Sequence, residues 1–381
     1  MQLQNFHPRV FLKEHWQKKP LLIKQGLPNF TPPLSFEELM GLASEEDAET
    51  RIVHSTKDHP WQLQHGPFYQ NDFEALAGQS WTLLVQALDH WLPEVKQLLN
   101  YFDFIPTWRV DDIMASYAPL GGGVGPHFDY YDVFLIQVSG QRTWQVGPAV
   151  EPDAELLPDT PLKILANMPV EEEWVLDPGD ILYLPPQYAH NGVASSDECM
   201  TFSVGFRAPS HGDILSEFFA WQADHLKEQL RYQDPELQLQ DQPGQIPESA
   251  IDHLLNIVQT YSQDRDALAQ WFGQYMTEPK YADLAEDEAP IDEATLKQTL
   301  SQHEWVLRNE ASRFAFNSGH LFVDGENWSL ESHNQSVAET IASYQPLGAK
   351  QVLNWLDEPH CKTLLIGLFE RGALYLPEED D

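Results

Sequence analysis

Apolar residues change their spacing along this chain, and each change marks a different kind of element. Phe11-Leu12-Lys13-Glu14-His15-Trp16 mixes apolar and charged positions as a short amphipathic helix does; Pro20 stops it, and Leu21-Leu22-Ile23 has the character of a strand. A second helix is expected over Ser35–Ala43, because the Ser35 oxygen can accept from first-turn amides and Glu37 and Glu38 suit the positive helix end. Tryptophans and short apolar runs about Trp61, Phe68 and Trp81-Thr82-Leu83-Leu84-Val85 predict elements packed on a β-body. From Trp108 to Phe206, short apolar runs are broken by Gly, Pro and Asp at close intervals, the pattern of a jelly-roll barrel.

The period changes after Arg207-Ala208-Pro209. Ile214 to Tyr232 is helical in pattern, Gln238 to Pro247 is a polar interruption, and helix resumes from Ala250 to about Tyr275. Ile251, Leu254, Leu255, Val258 and Tyr261 recur there at helical spacing, a stripe that packs either into a core or against a second copy of the chain. Residues 277–290 are acidic and carry prolines, which predicts a linker. The remainder alternates helices (Asp292–His303, Ser336–Tyr344, Lys350–Asp357) with short strands (Arg313–Phe316, Leu321–Val323) and closes on the apolar piece Thr363–Tyr375. The expected class is α+β: a jelly-roll over 1–208, a helical unit over 209–276, the linker 277–290, and a winged-helix-like unit over 291–381.

Composition narrows what such a protein can do. With 42% hydrophobic and 12% aromatic residues, the 381-residue chain has the means to bury several cores. Its 2 cysteines, Cys199 and Cys361, have neither metal-ligand nor redox spacing. The first residues do not read as a signal peptide, and no apolar run approaches the roughly 20 residues of a membrane span, so a cytoplasmic protein with no membrane contact is expected. The formal net charge of −37 opposes direct nucleic-acid binding; it would steer a basic protein partner, and serves equally to keep the protein soluble. In residues 209–381, 10 Lys and Arg stand against 31 Asp and Glu, a net of −21, so a winged helix there serves protein contacts.

Two stretches carry chemistry. Gly121-Gly122-Gly123-Val124-Gly125-Pro126-His127-Phe128-Asp129 delivers a His-x-Asp pair where a strand is expected to begin, so that both side chains project to one face. Asp177-Pro178-Gly179-Asp180-Ile181-Leu182-Tyr183-Leu184-Pro185-Pro186 is a turn, a strand and a proline stop leading to His190. His127, Asp129 and His190 together have the composition of a facial triad, which leaves iron(II) with open positions. The glycines are no phosphate loop, since no Lys-Ser/Thr follows and a strand, not a helix, comes next. Arg142, on the following apolar run with Trp144 and Val146, offers a fork that can hold a carboxylate bidentately.

These residues resemble the JmjC-type 2-oxoglutarate oxygenases, and more narrowly the bacterial ribosomal oxygenases, which hydroxylate an arginine of a large-subunit ribosomal protein. The resemblance is carried by His15-Trp16-Gln17-Lys18-Lys19-Pro20, the Gly121–Asp129 run, Tyr131-Asp132-Val133-Phe134, Pro178–Tyr183 with Pro185-Pro186, and Ser203–Pro209. It implies a double-stranded β-helix of the cupin type holding Fe(II) on His127, Asp129 and His190. It further implies 2-oxoglutarate as cosubstrate on Arg142 and Ser116, dioxygen as oxidant, and release of succinate and carbon dioxide. The product would be an arginine hydroxylated at C3 in a basic ribosomal protein. The segment 209–276 would make a homodimer. Asp111, Asp112 and Asp132 are candidates to receive the guanidinium, and each could equally serve a turn or a helix cap. The competing readings are a demethylase or small-molecule oxygenase on the same scaffold, and a non-catalytic cupin-like metal-binding module.

Overall fold

The computed structural model describes residues 1–56, 61–151, 153–281, 290–330 and 334–377. Among the described residues, the N-terminal half is built on eleven strands: β1 (Leu21–Ile23), β2 (Thr50–Ser55), β3 (Gln62–His65), β4 (Ser80–Val85), β5 (Val110–Ala118), β6 (Val133–Ser139), β7 (Arg142–Ala149), β8 (Glu172–Leu176), β9 (Ile181–Leu184), β10 (Tyr188–Ala194) and β11 (Cys199–Phe206). An eight-stranded sheet of order β1-β9-β6-β11-β5-β4-β2-β3 faces a three-stranded sheet β10-β7-β8, and every pairing is antiparallel.

The large sheet is buried on both faces, which is why β6 and β9 read as unbroken apolar runs. On β6, Val133 and Leu135 pack inward with Trp144 and Val146 of the small sheet, while Phe134, Ile136 and Val138 pack outward with Phe11, Leu39 and Phe102. The outer cover consists of α1 (Pro8–Glu14), α2 (Phe36–Leu42), α3 (Gln70–Ala75), α4 (Pro93–Lys96) and neighbouring 3₁₀ turns. Ser35 caps α2 as expected: its hydroxyl accepts from the Glu38 amide at 3.2 Å, and the Glu38 carboxylate accepts from the Ser35 amide at 2.6 Å.

The helical region departs from the sequence expectation in two places. α5 (His211–Asp224) stops short of Tyr232, because Leu226, Leu230, Leu237 and Leu239 remain exposed and no packing supports further turns. The helix expected from Ala250 to Tyr275 is two, α6 (Glu248–Ser262) and α7 (Arg265–Thr277). Asp264 makes the break, its carboxylate accepting from the Ala267 amide at 3.0 Å as an N-cap.

The C-terminal unit contains α8 (Glu293–Leu300), β12 (Trp305–Arg308), β13 (Phe314–Phe316), β14 (His320–Val323), β15 (Glu326–Ser329), α9 (Gln335–Ile341), β16 (Leu347–Gly348), α10 (Ala349–Leu356), α11 (Pro359–Glu370) and β17 (Leu374–Tyr375). Its core joins Leu296, Leu321, Val352 and Leu365. α7 lies directly on this unit, since a β-carbon at Gly273 would come within 2.5 Å of the Phe322 ring. Of the expected linker, Thr277 closes α7, Lys280 and Tyr281 dock on the jelly-roll, and 282–289 lie outside the described residues. Both cysteines are buried free thiols. Among the described residues, no helix is long and apolar enough to cross a membrane.

Candidate metal centre

His127, Asp129 and His190 converge, with one ligand atom from each lying within 4.8 Å of the others. Their route to that point differs from expectation. β6 begins only at Val133, so the His-x-Asp pair sits in the preceding loop. Gly125, at φ +85°, turns the chain there, where a β-carbon would meet Trp61 and Ile164 within 3.0 Å. A single antiparallel bridge then docks the loop: the His127 amide donates to His190 O at 3.0 Å, and the His190 amide donates to His127 O at 2.8 Å. The Asp129 carbonyl is fixed in turn by the Gln187 amide at 2.6 Å.

Backbone carbonyls set both imidazole tautomers. His127 Nδ1 lies 2.8 Å from Gly125 O, and His190 Nδ1 lies 2.9 Å from Tyr188 O. A carbonyl only accepts, so each Nδ1 carries a proton, which leaves Nε2 as the ring nitrogen available to a metal. Burial, followed by the neighbouring His127, pushes the His190 imidazole down to about 4, so it is neutral as a metal ligand must be. Asp129 Oδ2 stands 3.7 Å from His190 Nε2. Two imidazoles and one carboxylate, with ligand atoms within 4.8 Å of one another, fit a divalent first-row metal.

The triad opens into a cavity of about 380 Å³, which Arg142 and Ser116 also line. Arg142 starts β7 opposite Ala194 and Leu176 and is 2% exposed. Its Nε and Nη2 have no hydrogen-bond partner, and no carboxylate pairs with it among the described residues. The Trp144 ring, 5.8 Å from its guanidinium carbon, is a partial compensation. A buried cation with two idle donors is costly unless a ligand completes it, and a small dicarboxylate would. Ser116 Oγ donates weakly to Thr201 O at 3.3 Å, on the same wall.

Comparison with known proteins places this architecture. Residues 97–214 match the JmjC domain family, and residues 260–375 match the ROXA-like winged helix. The ribosomal protein uL16 3-hydroxylase of Escherichia coli (strain K12) is 35% identical over 372 residues, covering 95% of each chain. The chain belongs to the ribosomal oxygenase family. A probable ribosomal oxygenase of Haemophilus influenzae is 41% identical over 239 residues, covering 62% of this chain and 57% of that one. The ribosomal oxygenase YcfD from Escherichia coli, solved with cobalt and 2-oxoglutarate, superposes with a TM-score of 0.87 at 32% identity and covers 99% of both chains. Its complex with cobalt and succinic acid gives 0.86 over the same coverage.

In this ribosomal oxygenase the three acidic candidates part ways. Asp132 does not line the cavity. It is fully buried, Oδ1 accepting from Tyr183 Oη at 2.6 Å and Oδ2 from Gln17 Nε2 at 2.9 Å and Arg109 Nη2 at 3.4 Å. Those bonds join the N-terminal segment to β6 and β9, which is a framework role. Asp111 and Asp112 do line the cavity, at the start of β5. Sequence reading missed their neighbours Gln86, Arg51 and Lys280. Arg51 donates to Gln86 Oε1 at 2.8 Å, and Gln86 donates to Asp112 Oδ2 at 2.6 Å, with Arg51 Nε left unpartnered. Alternation along β2 and β4, which aims Arg51, Leu84 and Gln86 at one face, could have suggested Arg51 and Gln86; nothing local points to Lys280, which follows α7.

Proposed function

We propose that this chain is an Fe(II)- and 2-oxoglutarate-dependent hydroxylase acting on an arginine side chain of a basic large-subunit ribosomal protein. The carrying observation is Arg142, a buried guanidinium with idle donors in the same cavity as the triad. A purely structural metal module has no use for such a group. His127 and His190 would hold the metal through Nε2, and Asp129 through a carboxylate oxygen. Arg142, helped by Ser116, would receive the far carboxylate of 2-oxoglutarate. Iron(II), when bound, supplies the redox chemistry with dioxygen. In sum, one substrate C–H, dioxygen and 2-oxoglutarate become C–OH, succinate and carbon dioxide. The Escherichia coli relative's name, a uL16 3-hydroxylase, supports uL16 as substrate and C3 as the carbon. The net charge of −37 suits a basic substrate. Asp112 is the best placed of the acidic candidates to meet the arginine.

The domain plan that goes with this reading is a catalytic jelly-roll, a helical segment for self-association and an acidic winged helix for protein contacts, in the cytoplasm where ribosomes are. The face of α6 supports the homodimer: Ile251, Leu254, Leu255 and Val258 are about half exposed and no residue of that helix is buried. Leu255→Glu should turn a dimer into a monomer by light scattering; an unchanged mass would count against this face.

The deciding experiment is intact-mass spectrometry of ribosomal proteins incubated with the enzyme, iron(II), 2-oxoglutarate and air, beside Asp129→Ala. One added oxygen on uL16, absent in the control, is expected. Succinate formation without any mass change would remove the ribosomal substrate, and no succinate at all would remove the oxygenase.

A further inference from the structure

One wall of the cavity is held by cations that come from outside the jelly-roll. Lys280, just after α7, places Nζ 2.9 Å from Asp112 Oδ2 and 3.1 Å from Asp111 Oδ2. Arg313, from the C-terminal unit, binds Asp111 Oδ1 at 2.7 Å and Asp111 O at 3.1 Å. Both oxygens of Asp111 are therefore taken. Asp112 is different. Its Oδ2 collects Lys280, Gln86 Nε2 at 2.6 Å and the Ala87 amide at 2.9 Å, whereas its Oδ1 takes no hydrogen bond among the described residues. Gly205, also in the cavity wall, leaves that oxygen open; a β-carbon there would lie 3.8 Å from it. The carboxylate is 3% exposed, so an idle oxygen facing a cavity is an unfilled acceptor.

We propose that Lys280 is a positioning residue for substrate recognition: by anchoring Asp112 Oδ2 at the domain seam, it presents Oδ1 to the cavity as the acceptor for the substrate's cationic side chain. This rests on the hydroxylase reading above and adds to it a residue from outside the catalytic domain. The charged and titratable groups around Asp112 are Asp111 beside it on β5, Asp89 and His90 on the adjoining 3₁₀ turn, Lys280 and Tyr281 after α7, Arg313 on β13's approach, and Arg51 and Tyr131 along the cavity. Burial raises the Asp112 carboxyl above its ordinary range; Lys280 opposes that shift and Asp111 and Asp89 add to it. Two consequences of losing Lys280 compete. The wall would attract a cation more strongly if Asp112 stayed ionised, yet a buried carboxylate deprived of its cation and flanked by two others takes up a proton instead. Protonation and reorientation win, and recognition of charge is lost.

The test is calorimetric binding of full-length protein to the tightest-binding of a set of overlapping arginine-containing uL16 peptides, and to its citrulline counterpart, which keeps the shape without the charge. The wild type should prefer arginine by about ten-fold or more, as a charge-assisted hydrogen bond provides. Lys280→Met should reduce the preference to within about three-fold, and Lys280→Arg should restore it. In the wild type, which needs no variant to fold, the preference should fade on acidification at a pH above the ordinary aspartate range, while citrulline binding stays flat. Equal or absent binding of the two peptides by the wild type overturns the proposal, as does a Lys280→Met protein that keeps or strengthens its preference for arginine. Failure of the hydroxylase reading looks different: arginine is preferred, but no oxygen is added.

Discussion

Arg142→Met tests the cosubstrate assignment with two effects of opposite sign. In the bound enzyme, Nε and Nη2 would donate to a carboxylate; hydrogen bonds to a charged group contribute ~1.5–3 kcal/mol each, so the pair contributes ~3–6 kcal/mol. That corresponds to a rise of ~10²–10⁴-fold in the KM for 2-oxoglutarate, followed by succinate formation. In the free protein the same guanidinium is 2% exposed and unpaired, a net cost that the desolvated Trp144 contact, at ~2 kcal/mol, offsets only in part. Methionine fills much of the same space without a charge, so the ligand-free variant should unfold at an equal or higher temperature, by ~2–4 °C for each kcal/mol recovered. An ordinary structural arginine predicts the reverse pair of results. A KM within about three-fold of the wild type, together with a lower unfolding temperature, would refute the argument.

Two further outcomes concern groups away from the triad. Asp132→Ala strands the donors of Tyr183, Gln17 and Arg109, so urea unfolding should show ~3–5 kcal/mol of lost stability while the KM values for 2-oxoglutarate and peptide hold; a ten-fold peptide defect in a fully stable variant would make it a substrate residue after all. His90, pushed down to about 4 mainly by burial at the seam, folds neutral, so its contribution is whole above its ordinary value of 6.5 and is lost as pH falls from there toward 4. Going from neutral pH to about pH 5, the wild type should lose ~2 kcal/mol more stability than His90→Gln. Equal losses would mean that His90 protonates freely in the folded state.

The parts of this site that were legible in the sequence are those whose meaning is local. His127-x-Asp129 is a two-residue motif after a glycine turn, and His190 and Arg142 are announced by the turns and apolar runs on either side of them. Even there the reading placed the pair on a strand, because the aromatic residues that follow resemble one; what holds the loop is a bridge to a residue 63 positions away, which no local pattern encodes. The aspartates are harder for the same reason. Asp112 and Asp132 are the same residue type, both nearly or wholly buried, both in contact with a cation and a neutral donor. What separates them is a count of lone pairs. Asp132 has acceptors on both oxygens engaged by residues from the N-terminal segment, β9 and the turn before β5, and so closes the framework. Asp112 has one oxygen engaged and one idle, because three donors from two other segments crowd a single side of it and a glycine stands on the other. Hydrogen-bond capacity left over in a buried group is the physical difference between a strut and a binding site, and it exists only once the distant segments have come together.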